Sequence, residues 1–437
     1  MKISEKKFED TIEAYLLAFS SDSPTNIEIK ESGTTEGVFQ FGGFQQRTSD
    51  QYDRERCLIP EDVIAFVRAS QPKPWEKLRK QYHDQTKDQF VKRLSSEIQS
   101  RGTLDVLRNG VKDSGVKFDL YYHHPATGLN PEIQKRYLAN IFSVVRQWHY
   151  SVKDPSKSLD LGIFLNGMPL FSAELKNPLT GQTVQNAIAQ YRKSRDPREP
   201  LFTFGRCLAH FAVDPELVYF TTQLRGEDTV FLPFNQGNNR GAGNPPSYIG
   251  FPTAYLWEQV WAKDSILDLI QNFIYIVEET KEKPSGNKQK IEKVIFPRYH
   301  QLDSVREMID DAQNKGPGQR YLIQHSAGSG KSYSISWLAH QLSHLHDEND
   351  QRIFDSIIVV TDRRVLDQQL QTHVTAFEQV RGLVETIGKN KTSKDLAIAL
   401  EKGKNIIVST IQKFPYIVEE IGKLGGSNFA VIIDEAH

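Results

Sequence analysis

An α/β protein of two unlike halves is predicted from three observations. From residue 296 onward, short apolar strands alternate with helical segments, the pattern of a parallel sheet. A Gly/Ser-rich turn, SAGSGKS at 326–332, lies between one such strand and a helix. Two apolar runs, 158–165 and 168–175, flank Asn166-Gly167, the strongest short signal for a β-hairpin. These divide the chain into a mixed α/β domain over 1–255, a helix and basic linker over 256–295, and a parallel-sheet lobe over 296–437.

The elements follow in order. Helices are expected at 8–19 and 60–69, and strands at 118–122 and 162–165. NQGNNRGAGNPPS (235–247) is a turn-rich loop. The stretch 256–277 is amphipathic, with Ile266, Leu269, Ile270 and Phe273 on one side, and KEKPSGNKQKIEK (281–293) reads as an interdomain linker. Strands are then expected at 321–323, 356–360, 405–408 and 430–433.

Composition bounds the function. The 437 residues are 38% hydrophobic and 25% charged, so the chain has ample core for several domains. No apolar run approaches the ~20 residues of a membrane span, and the charged N-terminus lacks a signal-peptide stretch. A cytoplasmic protein without membrane contact is expected. Cys57 and Cys207 are too few for a disulfide scaffold or a four-cysteine zinc site. A net charge of −1 exerts no strong pull on nucleic acid, so DNA contacts must come from local patches or partners. The sequence stops at VIIDEAH, inside a motif, and reads as part of a longer protein.

The turn at 326–332 has the chemistry of a phosphate cradle. Gly328, Ser329 and Gly330 let backbone N–H groups converge on phosphate oxygens, Lys331 reaches the β/γ-phosphates of ATP, and the Ser332 hydroxyl holds Mg²⁺. His325 stands where the usual spacing has its first glycine. A second strand, FAVII at 429–433, ends in Asp434-Glu435-Ala436-His437. There Asp434 would bind Mg²⁺ and Glu435 would polarise the attacking water. Read alone, this is equally a strand ending in acidic residues.

The predicted hairpin carries a second chemistry. Asp160 lies on its first strand; Glu174 and Lys176, two apart on the second, share a face. Phosphodiester hydrolysis needs carboxylates to hold Mg²⁺ and a cation to position water, and these three supply that set. A two-residue loop would pair Asp160 with Ala173 and put Glu174 on the other face. A shared metal therefore predicts an odd-length loop or a bulge. Acidic-x-Lys is by itself more often a solvated strand face. Glu9 is a further acidic candidate or an ordinary surface glutamate.

The lobe resembles superfamily 2 helicases and translocases of the DEAD/DEAH type, a RecA-like fold. SAGSGKS matches their first motif and Asp434–His437 their second. FPRYHQ (296–301) resembles their upstream Q motif, which implies that Gln301 reads the adenine edge. TDRRVL (361–366) and STIQKF (409–414) resemble their DNA-contacting motifs. The first of these reads equally as a capped helix start with solvated arginines. Asp160, Glu174 and Lys176 resemble the PD-(D/E)xK nuclease core, which implies that the Leu175 carbonyl is also a metal ligand.

Both halves together resemble the restriction (motor) subunit of type I restriction–modification enzymes. CLIPED (57–62), QPKPWEKL (71–78), Val144, Arg146 and Gln147, GQTV (181–184), FLPFNQG (231–237) and YLWE (255–258) carry that resemblance along the chain. It implies an ATP- and Mg²⁺-dependent endonuclease that translocates double-stranded DNA and cuts far from an unmethylated site. Separate methyltransferase and specificity subunits would be its partners. It also implies a second motor lobe beyond this sequence, without which little ATP would be hydrolysed. Many members carry Gln-x-x-x-Tyr after the lysine; here Ala187 stands four before Tyr191, with Gln185 and Gln190 nearby, so Gln190 or Tyr191 contacts DNA or caps the core. Other readings are a stand-alone nuclease–helicase of repair or phage defence, and a non-catalytic assembly or DNA-clamp module.

Overall fold

The computed structural model describes residues 5–18, 42–124, 130–178, 181–239, 241–282, 288–326, 328–362, 364–378, 382–388, 391–417 and 427–435. The chain forms two compact units, 1–298 and 299–437. Ala327, Arg363, Ala436 and His437 of the expected motifs lie outside the described residues.

The first unit is built on a mixed seven-stranded sheet. Its described strands include β1 (Gln45–Arg47), a small separate pair β2 (Val111–Asp113) and β3 (Val116–Phe118), then β4 (Phe142–His149), β5 (Ser158–Leu165), β6 (Met168–Leu175), β7 (Ala209–Val213), β8 (Val218–Thr221) and β9 (Leu232–Pro233). The order is β1-β4-β5-β6-β7-β8-β9, with β1/β4 and β6/β7 parallel and the other neighbours antiparallel. All eight residues of β6 are buried, as expected of a central strand covered on both faces.

Helices α1 (Glu5–Leu17), α2 (Pro60–Ser70), α3 (Pro72–Tyr82), α4 (Thr86–Arg101), α5 (Thr103–Asn109), α6 (Pro131–Leu138) and α7 (Val184–Ser194) surround the sheet. Helix α2 starts with Pro60 at its first position and Glu61 and Asp62 in its first turn, which complements the helix dipole. Buried Asp62 accepts from Arg47 on β1 and from Ser143 on β4, fixing the helix to the sheet. A Thr183/Asn186 capping box starts α7. Its Val184, Ala187 and Ile188 pack on Ala212 of β7. The opposite face is closed by an aromatic cluster in which Phe171 and Phe211 meet Phe220, Phe234, Trp261 and Phe296.

Three segments depart from the expectations, each for a local reason. Of the expected 118–122 strand only Phe118 pairs, at the end of β3. Beyond it the Gln71 amide takes the N–H and C=O of Asp119, and Asn140 takes those of Tyr122, so no strand partner is needed. The amphipathic stretch is not one helix. A π-helical turn (Leu256–Val260), α8 (Lys263–Asp268) and a second π-helical turn (Leu269–Phe273) run into β10 (Tyr275–Glu282). Ala262 is extended between the first two, and Arg108 terminates the third by donating to the carbonyls of Ile270 and Ile274. The expected linker is the other half of a hairpin: β11 (Lys288–Ile295) pairs with β10 from Tyr275↔Ile295 to Glu282↔Lys288. The first unit therefore extends well past residue 255.

The second unit holds α9 (Tyr299–Lys315), α10 (Lys331–Leu342), β12 (Ser356–Thr361), α11 (Arg364–Ala376), β13 (Val384–Ile387), α12 (Ser393–Glu401), β14 (Ile406–Thr410) and β15 (Phe429–Ile433). Its four-stranded sheet is parallel throughout, in the order β13-β14-β12-β15. Strand β13 was not expected. Conversely, 321–323 is not a strand: the Tyr321 hydroxyl donates to Asp311 on α9 (2.7 Å), and Leu322 is 85% exposed. No helix among the described residues is long and apolar enough to cross a membrane.

Candidate active site

The hairpin of β5 and β6 turns through Asn166 (φ 50°) and Gly167 (φ 79°), the positive-φ pair of a two-residue type I′ turn. Asn166 is held there from three sides. It accepts from Ile141 N–H (2.7 Å) and donates to the Leu120 carbonyl (2.8 Å) and to Asn140 (3.1 Å). A Cβ on Gly167 would lie 2.4 Å from the Ile59 carbonyl, so both conformation and space require glycine.

The register then shifts. Leu165 pairs with Met168 and Phe164 with Pro169, but Ile163 pairs with Phe171 and Leu161 with Ala173, leaving Leu170 as a bulge residue. Extended by one residue, this register sets Asp160 opposite Glu174. The bulge required for a shared site is present. It puts both carboxylates on one face of the sheet, the face carrying α7.

The site is two-sided in charge. Asp160 Oδ2 accepts the Leu175 N–H (2.7 Å). Lys176 Nζ lies 3.4 Å from the same oxygen and donates to the Leu175 carbonyl (3.1 Å). Glu174, fully buried, accepts from Arg195 Nε (2.7 Å), and Arg195 also donates to the Ser158 carbonyl (2.7 Å) and stacks on Tyr150. The second Glu174 oxygen, Oε2, is buried without a hydrogen-bond partner among the described residues. Burial, and after it the Asp160 charge, pushes the Glu174 carboxyl up to about 8.

Beneath this pair lies a neutral polar network. Ser172 Oγ is 2.8 Å from the Tyr191 hydroxyl and 2.7 Å from His210 Nδ1. Burial pushes His210 down to about 3, so the imidazole is uncharged.

A metal ion fits the donor set on one ground: an orphaned carboxylate oxygen on Glu174, next to Asp160 and the Leu175 carbonyl, all hard oxygen ligands. Among the described residues, no three His, Cys, Asp or Glu side chains converge as metal ligands, so the carbonyl has to complete the set.

Other expected residues fall elsewhere. Glu9 is buried and paired with Arg146 (2.8 Å), which also binds Asp10 and Glu13. Arg146 pairs across the sheet with Leu161, the neighbour of Asp160, so the Glu9 cluster belongs to the opposite face. Gln185 is exposed, Gln190 half-buried, and Tyr191 caps the core through Ser172. Sequence reasoning missed Arg195: it follows Glu174 by 21 residues, and only folding α7 back over the sheet brings the two together.

In the second unit, Gly328 (φ 75°) and Gly330 (φ 87°) shape the loop ahead of α10, and Lys331 Nζ lies 3.3 Å from the His325 carbonyl. Gln301, buried on α9, donates to the carbonyls of Ser329 (3.2 Å) and Gly330 (3.0 Å); His300 lies 3.3 Å from the former. The Gln301 amide is thus engaged with the loop itself. Ser332 is half-buried at the start of α10. Asp434 follows β15, its N–H donating to Val360. Burial, then the charge of Glu435, raises its carboxyl. Glu435 is exposed, at φ 57°. Ser409 and Thr410 close β14, and Lys413 donates to the Gly388 carbonyl (2.8 Å).

These features define an α/β protein that joins a carboxylate-bearing hairpin domain to a lobe with a glycine-rich phosphate-type loop. Comparison with known families names both parts. Residues 52–229 match the family described as type I restriction enzyme R protein N terminus, and residues 300–437 match the SWI2/SNF2 ATPase family. The first match and the curated relatives that follow support the N-terminal region of a type I restriction enzyme R protein. The chain is similar to the putative type I restriction enzyme MjaVIIIP endonuclease subunit of Methanocaldococcus jannaschii, 23% identical over 392 residues, covering 82% of this chain and 34% of that protein. It is also similar to the type I restriction enzyme HindI endonuclease subunit of Haemophilus influenzae, 27% identical over 309 residues, covering 68% and 28%. The chain thus spans about a third or less of the length of these relatives.

Proposed function

We propose that this chain provides the nuclease centre and the nucleotide-binding motor lobe of a type I restriction endonuclease. In this reading the first unit is a PD-(D/E)xK-type nuclease and the second a RecA-like lobe. Their substrate is double-stranded DNA, cut away from an unmethylated recognition site, and methyltransferase and specificity subunits locate that site.

One observation carries the nuclease half: past a β-bulge the register, extended by one residue, sets Asp160 opposite Glu174, one of whose buried oxygens has no partner among the described residues. Asp160, Glu174 and the Leu175 carbonyl would hold Mg²⁺, which when bound supplies Lewis-acid polarisation of the scissile phosphate. Lys176 positions the attacking water by its ammonium, already tethered to Asp160 and Leu175. Arg195 acts through Glu174: its guanidinium fixes Oε1 and so leaves Oε2 to the metal.

In the lobe, the backbone of Gly328, Ser329 and Gly330 with Lys331 would cradle the phosphates of ATP, and Ser332 and Asp434 would hold its Mg²⁺. Glu435 orients water. Gln301 ties the loop to α9 and offers the adenine edge its recognition group.

Calorimetric titration of the whole chain with Mn²⁺, without nucleotide, tests the first site. Asp160→Ala is expected to weaken binding at one site by at least about tenfold, the effect of losing a charged ligand. Unchanged binding would remove Asp160 from the metal site.

A further inference from the structure

A cavity of about 480 Å³ lies away from both sites just described, between the chain before α2, helix α4 and the chain entering β7. One helical face supplies much of its wall. Lys92, Ser95, Ser96, Gln99 and Ser100 recur at spacings of three and four along α4, which puts them side by side. Arg56, Glu55 and Arg206 complete it.

Arg206 is the unusual member. It is 97% buried (3% exposed), yet among the described residues its hydrogen bonds go to no carboxylate. Its Nη2 donates to Gln99 Oε1 (2.8 Å) and its Nη1 reaches the Arg56 carbonyl (3.4 Å), both uncharged acceptors. Its Nε has no partner among the described residues. The inward neighbours acting on its charge are the phenol of Tyr52 and the thiols of Cys57 and Cys207, all pushed above their ordinary pKa by burial and so uncharged. Arg56 differs, being paired with Asp53 (3.0 Å) and Asp88 (2.7 Å).

A buried guanidinium without a counter-charge is unfavourable, and a planar fork of donors suits an oxyanion better than any neutral group. The position is also pre-built. Thr103 N–H donates to the Gly205 carbonyl (2.8 Å) and Thr103 Oγ1 to the Arg206 carbonyl (2.6 Å), which pins the segment to the start of α5. Lys92 and the Ser96 hydroxyl, both exposed, bring further donors to the mouth.

We propose that this cavity is a phosphate-binding subsite, taking a phosphate ester with Arg206 at its base and Lys92 and Ser96 at its rim. The site is distinct from the carboxylate pair. Arg206 precedes β7, which begins at Ala209 opposite Phe171, whereas Glu174 pairs with Ala212, three residues further on. The same chemistry comes from two sources, a phosphodiester of a DNA backbone or a free phosphorylated small molecule.

The test measures binding of inorganic pyrophosphate and of a short blunt DNA duplex to the whole chain without divalent metal. Wild type is compared with the double variant Lys92→Gln/Ser96→Ala, whose side chains are exposed, and with Arg206→Lys. Lys117→Gln, an exposed charge removed elsewhere, is the control. Affinity is expected to fall about tenfold in the double variant, as loss of charge-assisted bonds does, and to stay at wild-type level in Lys117→Gln. A fall for duplex alone assigns the site to DNA backbone; a fall for pyrophosphate assigns it to a small phosphorylated ligand. Unchanged affinity for both, or an equal fall in Lys117→Gln, overturns the proposal. The double variant decides the matter if Arg206→Lys does not fold.

Discussion

Glu174 and His210 stand two β-residues apart in level on one sheet face, and their protonation has opposite consequences for stability. A carboxyl whose folded pKa is raised to about 8 binds more protons folded than unfolded, so it removes stability as pH climbs from its ordinary value toward 8. An imidazole lowered to about 3 does the reverse: its contribution is complete above its ordinary value and is lost as pH falls from there toward 3. Metal-free protein should therefore lose stability through Glu174 as pH rises from about 4.5 to 8, and through His210 as pH falls from about 6.5 to 3. Calorimetric melting across pH 4–8.5 checks this, and Glu174→Gln should flatten the alkaline side only. Gly162 offers a steric test on the same face. An added Cβ would lie 2.4 Å from Trp148 Cε3 and 2.9 Å from Phe164, both fully buried, so Gly162→Ala should cost about 1–3 kcal/mol in urea unfolding.

The hairpin shows how far local pattern carries. Asn166-Gly167 between apolar runs identified the turn, and placing Asp160 and Glu174 on one face demanded one residue more than a plain two-residue hairpin supplies. The location of that residue was not legible: the bulge at Leu170 depends on β6 pairing with β7 as well as β5. Arg195 was invisible for a related reason, since no spacing rule links a strand residue to the far end of a helix folded back over it. The amphipathic pattern at 256–277 misled because apolar residues at helical spacing persist through two π-helical turns and into β10; the breaks come from the Ala262 backbone within the stretch and from Arg108 outside it. Asn166 gives the element-scale prediction. Its side chain satisfies Ile141 N–H and the Leu120 carbonyl, so Asn166→Ala should cost about 3 kcal/mol in urea unfolding and lower Mn²⁺ affinity with it.

At the scale of the molecule, the polar basic composition of 281–293 suggested a linker, yet its residues on β11 pair along the whole of β10 and lead into Phe296, which packs in the core of the first unit. Composition alone does not separate a tether from an exposed hairpin. The alternation from residue 356 onward did give the parallel sheet, whereas 321–323 lacked a strand neighbour to realise its pattern. Two units with separate chemistries should also be separable by mutation. Lys331→Ala is expected to abolish nucleotide binding, read with a fluorescent ATP analogue, and to leave Mn²⁺ binding by the first unit unchanged. The most direct test is made in an assembled complex with methyltransferase and specificity subunits on unmethylated circular DNA with Mg²⁺ and ATP. Strand cleavage and ATP hydrolysis are followed in one tube for wild type and Asp160→Ala. Cleavage is expected to disappear in Asp160→Ala while hydrolysis persists. Persistent cleavage would contradict the carboxylate assignment, and loss of both would make Asp160 a structural residue.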